Sequence, residues 1–369
     1  MGLLLLLTVL ASLPFDPQGP FDARDYRRAA GVELEFPLSG VVLEPLLAVS
    51  AALGGEPDVR IAAGATLIWI VVLTPLLLLA GRVRRNGGIR PADLLAAVAA
   101  ALAGGGLFLC YLGFVLLVHL PGWKLVTTDP DLIVADLQSH TVYSRDGLVT
   151  PLQNLALHRG RGFHVVAFTE HDSPAGTLAS TAFSRQDEEL PWAIGGTEVR
   201  EPGGAFVLSV GWIPRQRLWD PEWLTGLERR PVVALAWKLT VPEVRRLAEA
   251  GLSGFEIANS GHPDIPLEVR DAILEEARRR GLVLVASSDW HGWSGLWRTW
   301  TTVRVAGAAR MSRVEKAEAV VEALRQRRGA DIQPVVAGYL GPPSLLRTLF
   351  APFSALLRYG MELSLLRLL

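Results

Sequence analysis

Four short stretches carry groups that can bind a divalent cation and move protons. They are DLQSHTVYSRDG (136–147) with His140 and Asp146, TEHD (169–172) with Glu170, His171 and Asp172, GTE (196–198) with Glu198, and SDWH (288–291) with Asp289 and His291. Each lies at the end of a short apolar run. Imidazole nitrogen and carboxylate oxygen together make a donor set suited to zinc, manganese or iron. One His at such an end reads as a surface residue, and one Asp as the N-cap of a following helix. Four such ends in one chain point to a metal site instead. A cation held there would acidify a bound water and polarise a phosphoryl oxygen. His171 or His291, where not ligating, could protonate a leaving oxygen.

The elements that must position these groups are legible from residue 122 onward. Strand-length apolar runs fall at 132–138, 164–169, 192–197, 205–211, 231–237, 254–258, 282–288 and 299–305. Helical patterns fall at 150–160, 241–250, 266–280 and 313–328, the third with Val269, Ile273, Leu274 and Ala277 at helical spacing. Strands alternating with helices predict an α/β domain with parallel strands and outer helices, a barrel among the options. In such folds the reacting groups collect where the strands end. His158 and His164 flank the turn RGRGF and are expected to be exposed.

The four motifs resemble those of the polymerase and histidinol phosphatase (PHP) family, which runs DLHxHTxxSxDG, TDHD, glycine-x-glutamate and SDxH in this order. The resemblance covers roughly 130–330. It implies a distorted (β/α)7 TIM-like barrel with up to three metal ions at its mouth, and a phosphoesterase using metal-activated water. Carried over, His140, Glu198 and Asp289 fall on positions that hold one metal, with Glu198 bridging. Asp146, His171 and His291 fall on positions that hold another. The match departs at three expected histidines. Gln138 stands for the first His of the opening pair, AFVLSVGW (205–212) offers no His, and Trp237-Lys238 stands where a His is expected. The reduced site would hold one or two divalent ions, zinc, manganese or iron. Lys238 could then pair with a phosphate in place of the lost ion, with Trp237 filling the void, and His262 is a candidate replacement ligand. The activity implied is that of a metal-dependent phosphoesterase with His171, His291 and Lys238 as candidate catalytic groups. The alternative is a catalytically degenerate domain that binds a ligand or serves as a scaffold at the membrane.

The rest of the chain is different in kind. Residues 61–81 and 94–118 carry no charge, and each exceeds the roughly 20 residues that cross a hydrocarbon core. Weaker candidates are 2–14, a signal-anchor or signal peptide, and 37–54, interrupted by Glu44 and Pro45. Arg82, Arg84, Arg85 and Arg90 lie between the two strong runs and favour the cytoplasm. This predicts an integral protein of the cytoplasmic membrane, with 1–120 as membrane region and 130–330 as a hydrolase domain on the extracytoplasmic side. In 343–369, Arg347, Ser354, Arg358 and Glu362 line one helical face opposite Leu and Phe, which reads as a helix in the membrane interface. A net charge of −1 over 369 residues argues against nucleic acid as a partner. The expected partners are a phosphorylated small molecule or lipid head group, and the membrane itself. The one cysteine, Cys110, excludes a disulfide within the chain and a cysteine-based metal site. No GxSxG elbow for a serine hydrolase is present.

Overall fold

The computed structural model describes residues 19–35, 50, 59–118, 120, 122–171, 173, 175–201, 203–211, 230–262, 265–293 and 298–337. The segments 2–14 and 343–369, Asp172, and all of 37–54 except Ser50 lie outside them. Two compact units are present, one built around residues 42–121 and the other from the remainder of the chain.

Two short strands come first, β1 (Pro20–Asp22) and β2 (Val32–Glu35), then the helices α1 (Val59–Asn86) and α2 (Pro91–Leu117). The strands β3 (Lys124–Thr127) and β4 (Leu132–Ser139) lead to α3 (Pro151–Gly160), β5 (Val165–Phe168) and α4 (Ala175–Gln186). Next are β6 (Trp192–Arg200), β7 (Phe206–Val210), β8 (Val232–Leu235) and α5 (Val241–Glu249). The chain continues through β9 (Gly254–Asn259), α6 (Leu267–Arg280), β10 (Val283–Ser287), β11 (Thr299–Arg304), α7 (Arg313–Arg325) and β12 (Ile332–Ala337).

In the helical unit, α1 and α2 form a hairpin. Segments Ala62–Asn86 and Pro91–Leu117 are each long and apolar enough to cross a membrane. Arg82 pairs with Asp93 at 3.3 Å near the turn between them. The helices pack closely at Gly104 and Gly105, where a Cβ would lie 3.1 Å from Ile70 and 3.4 Å from Val71.

In the other unit, ten strands form one sheet in the order β1-β12-β11-β4-β5-β6-β7-β8-β9-β10, with β2 and β3 paired apart from it. The sheet curls until the end of β10 returns to β4. There the His140 amide donates to the Trp290 carbonyl at 2.9 Å, and the Asp289 amide to the Gln138 carbonyl at 3.1 Å. The result is a strongly curled half-barrel of mixed α/β type. All eight strands expected from the sequence are present, as are the four helices.

The expectation of parallel strands throughout needs correction. The pairs β4–β5–β6 and β8–β9–β10 are parallel, but β7 runs antiparallel to both its neighbours, and β11 is antiparallel to β4 and β12. Only a tight turn separates Arg200 from Phe206, and a parallel return needs a crossover of about a dozen residues or more. The Glu201 carboxylate fixes that turn by accepting from the Gly203 and Ala205 amides at 2.7 and 2.9 Å, while Gly204 takes φ +101°.

β4 is buried along its whole length. Ile133, Ala135 and Leu137 pack with Val165 and Ala167 of β5, Val283 and Val285 of β10, and Val320 and Leu324 of α7. Leu132 and Val134 pack on the other side with Leu155 of α3. This is the alternation a strand imposes on its side chains. Between Asp136 and Ser139 the register of β4 against β5 shifts, an irregularity that re-aims side chains near the strand end. Helices α3, α5 and α7 begin at capping boxes, Thr150 with Gln153, Thr240 with Glu243 and Ser312 with Glu315.

Candidate metal centre

The half-barrel brings His140, Asp146, His171, Glu198, Asp289 and His291 to one place. His140 leaves β4 fully buried. Its Nε2 lies 3.3 Å from Glu198 Oε2 and 3.2 Å from Asp289 Oδ1. The His140 ring lies against both His171 and His291, with centroids 4.4 and 4.2 Å away, and those two rings are 5.8 Å from each other. His171 Nδ1 lies 3.7 Å from Glu198 Oε1, so the two oxygens of Glu198 face different imidazoles. Asp146 closes the outer side, 3.3 Å from His171 and 3.6 Å from His291. Two trios share His140. His140, Glu198 and Asp289 form one, His140, His171 and His291 the other, each with donor atoms within 4.8 Å of one another.

The donor atoms are close but not bonded to one another. His140 Nε2, Asp289 Oδ1 and Asp146 Oδ1 are buried and make no hydrogen bond. Buried polar atoms without partners are costly and rare. Here the His140 Nε2 and Asp289 Oδ1 face each other at 3.2 Å without hydrogen-bond geometry, with Asp146 at the outer side, and a divalent cation taking the place of the imidazole proton would satisfy them. The donor set therefore fits a metal.

The protonation states reflect the same crowding. Burial pushes the His140 imidazole down, but the carboxylates of Asp289 and Glu198 outweigh it and raise the pKa to about 10. Burial alone would raise Asp289, yet His140, His291 and His262 hold it well below the ordinary carboxylate range. Asp146 is depressed in the same way by His171, His291 and His140 against its own desolvation. Burial, aided by His140, lowers His291.

Two buried carboxyl groups hold the donors, a role the motifs alone did not assign to them. Glu170, fully buried, accepts from the Thr141 amide at 3.0 Å, Thr141 Oγ1 at 2.5 Å and Ser144 Oγ at 2.6 Å. Ser144 Oγ also meets His140 Nδ1 at 3.1 Å, which fixes the ring that carries Nε2. Asp136 binds the Ser288 amide at 3.0 Å, Ser288 Oγ, and His158 Nε2 at 2.8 Å. His158 is thus fully buried and His164 half-buried, against the expectation that both are exposed. Asp136 takes these contacts beneath the site, and the last turn of α3 delivers the His158 imidazole to it. Asp289 itself sits at φ +52°, a left-handed conformation that Asp tolerates better than most residues.

Gln138 is not aimed at the shared space as a ligand. It is fully buried, and its Nε2 donates to Glu198 Oε2 at 2.7 Å. Its Oε1 accepts from Asn259 Nδ2 at 3.3 Å, and Asn259 Nδ2 also reaches Glu256 Oε1 at 2.7 Å. The reverse amide orientation would set oxygen against carboxylate and nitrogen against nitrogen. Glu256 is fully buried, and desolvation raises its carboxyl well above the usual range.

Trp237 stacks on His262 at 3.5 Å, and His262 Nε2 lies 3.6 Å from Asp289 Oδ2. His262 belongs to neither trio. Lys238 stands apart from the cluster, with its ammonium 4.0 Å above the Phe206 ring and 4.1 Å above the Trp237 ring.

No family model matches the chain, and no curated protein matches it in sequence. Among solved structures, a provisionally assigned metal-dependent phosphoesterase from Bifidobacterium adolescentis shares 20% identity at a TM-score of 0.35, over 42% of this chain and 87% of that one. An amidohydrolase from Chromobacterium violaceum, with bound sulfate and no metal, shares 16% at 0.36, over 50% and 96%. PsfC from Pseudomonas syringae shares 13% at 0.38, over 61% and 98%. At these scores the likenesses carry no weight, and the chemistry below rests on the residues.

Proposed function

We propose that the chain is a membrane-anchored, metal-dependent phosphoesterase of PHP type, built on a distorted (β/α)7 barrel within the curled sheet. The observation that carries this reading is the set of buried, unpartnered donor atoms on His140, Asp146 and Asp289. His140, Glu198 and Asp289 would hold one divalent ion; Asp146, His171 and His291 would hold or flank a second. Zinc, manganese and iron all suit this donor set. A bound cation would supply Lewis-acid polarisation of a phosphoryl oxygen and acidify water.

The chain's own residues do the rest. Glu170 and Asp136 hold the donors in register, so little reorganisation accompanies reaction. Gln138 steadies Glu198. Where they do not hold a second ion, His171 and His291, with about a quarter of each side chain exposed, are the groups placed to deliver a proton to a leaving oxygen. The substrate is a phosphate ester on a small molecule or a lipid head group. The apolar side chains of Leu73, Leu77, Leu95, Leu102 and Leu107 are exposed on the helical hairpin, which supports a lipid environment for it. The four arginines of 82–90 favour the cytoplasm for that loop, which supports an extracytoplasmic hydrolase domain on this reading.

A second reading draws on Gln138, whose amide already engages a Glu198 oxygen. On this reading the domain is a ligand-binding or scaffolding module without turnover. The full chain in detergent, purified without chelator, separates the two. Bound transition metal near one ion or more, lost in His140→Ala and Asp289→Ala, together with hydrolysis of p-nitrophenyl phosphate, supports the enzyme. A folded protein that takes up neither zinc, manganese nor iron overturns it.

A further inference from the structure

The mouth of the half-barrel carries a second group of residues beside the donor cluster, and it is cationic. β6 pairs with β7 so that Arg200 faces Phe206. The Arg200 guanidinium lies 5.8 Å above the Phe206 ring, and the Lys238 ammonium 4.0 Å above that ring. Lys238 also caps Trp237, Trp237 stacks on His262, and His262 faces Asp289. The contacts therefore run unbroken from Asp289 to Arg200. Among the described residues, neither Arg200 nor Lys238 has a carboxylate within ion-pair distance. Arg200 uses Nε on the Gly204 carbonyl at 3.1 Å, which leaves its terminal nitrogens available. Burial lowers Lys238 while the nearby Glu198 and Asp289 support its charge and Arg200 opposes it. Two cations sharing one aromatic ring, with donors only and no acidic partner, form an environment that an oxyanion would complete.

We propose that Arg200 and Lys238 form a clamp for an anionic group of the substrate, a phosphate or a carboxylate, separate from the ester bond that is cut. Phe206 and Trp237 form its floor and set where the two cations stand. This rests on the phosphoesterase reading for what the neighbouring cluster does, but the clamp binds its anion without metal. The substrate class is then a phosphate ester that carries a second negative group.

The test uses the full chain in detergent, stripped of metal, titrated with inorganic phosphate by calorimetry. Wild type binds it. Arg200→Ala and Lys238→Ala each weaken binding about tenfold, the loss of a charge-assisted contact of about 1.4 kcal/mol, and Arg200→Lys retains part of it. A wild type that does not bind phosphate, or a double variant that binds it equally, overturns the clamp. A second measurement uses the manganese-loaded chain on a sugar monophosphate and the matching bisphosphate. The wild type favours the bisphosphate in KM, and the double variant loses that preference. A preference that survives the double variant also overturns the proposal. Failure of the phosphoesterase reading shows differently, as absence of bound metal and of any hydrolysis while metal-free phosphate binding persists.

Discussion

The strand ends of the half-barrel fall into two groups that face one another. β4, β5, β6 and β10 end in His140, His171, Glu198 and the Asp289–His291 pair, whose donor atoms crowd one space without bonding. β8 and β9 end in Trp237, Lys238, Asn259 and His262, where amides satisfy one another and rings stack. The first side is polar with partners lacking. On the second, Gln138 and Asn259 bond within the protein and indole fills the volume, while the Lys238 ammonium stands over aromatic rings with, among the described residues, no carboxylate within ion-pair distance. Gln138 stands at the boundary, donating to Glu198 on one side and accepting from Asn259 on the other. The difference shows that the centre is half a cup. Cation binding belongs to the β4–β5–β6–β10 side, and the opposite side shapes the site and carries Lys238 of the proposed anion clamp.

The comparison breaks first at His140, the donor common to both trios. His140→Ala should abolish stoichiometric metal and reduce phosphate-ester turnover by about a thousandfold or more, as loss of a shared ligand does. Metal content and steady-state rates measure it. Trp237→Phe, by contrast, should leave metal content unchanged. Support for the ligand side is tested at Glu170. Glu170→Ala leaves three buried donors without an acceptor and should cost about 3 kcal/mol of stability, read as a fall in the thermal midpoint. The boundary is tested at Gln138. Gln138→Met keeps the volume and removes both hydrogen bonds, and should weaken metal binding about tenfold with folding intact.

The pH dependence sharpens the ligand side further. With a pKa of about 10, His140 is protonated in the metal-free protein at neutral pH. Ligation must expel that proton, so apparent metal affinity should rise with pH up to about 10. Calorimetry in buffers of different ionisation enthalpy counts the proton released. The smallest effect is at His164, away from the centre, where burial, with Lys316, lowers the pKa to about 4. Its Nδ1 accepts from the Val134 amide at 3.0 Å, which requires the neutral ring. The folded value lies below the unfolded one of about 6.5. The unfolded chain therefore binds more protons in between, and this contribution to stability is lost as pH falls from about 6.5 toward 4. His164→Gln should flatten that part of the stability profile.

The eight strands were legible because each is an apolar run of strand length, and the ligand-bearing ends followed directly from them. α4 was not, since the face it buries is Gly176, Thr177, Ser180 and Ser184, with no apolar stripe to read. β12 carries Pro334, which argues against a strand by pattern, and β1 is only three residues long. Reversal of β7 was implicit in the short link from Arg200 to Phe206, but alternating helices elsewhere suggested a parallel sheet. The six residues nominated from the motifs lie in one region, but the second trio takes His140 where the motifs nominated Asp146, which stands at the outer side. The supporting role of the residues that hold them was not legible, for a common reason. Asp136, Glu170 and His158 act through buried contacts with distant segments, and nothing in local spacing announces such a partner.

The bond between Asp136 and Ser288 spans 152 positions of chain. Each trio likewise takes its donors from three separate segments. No local stretch can gather a trio before the sheet has curled, so a cation has no early nucleus to grow from. Its place in assembly is that of a latch: it engages after β10 has met β4, and it slows reopening more than it speeds closure.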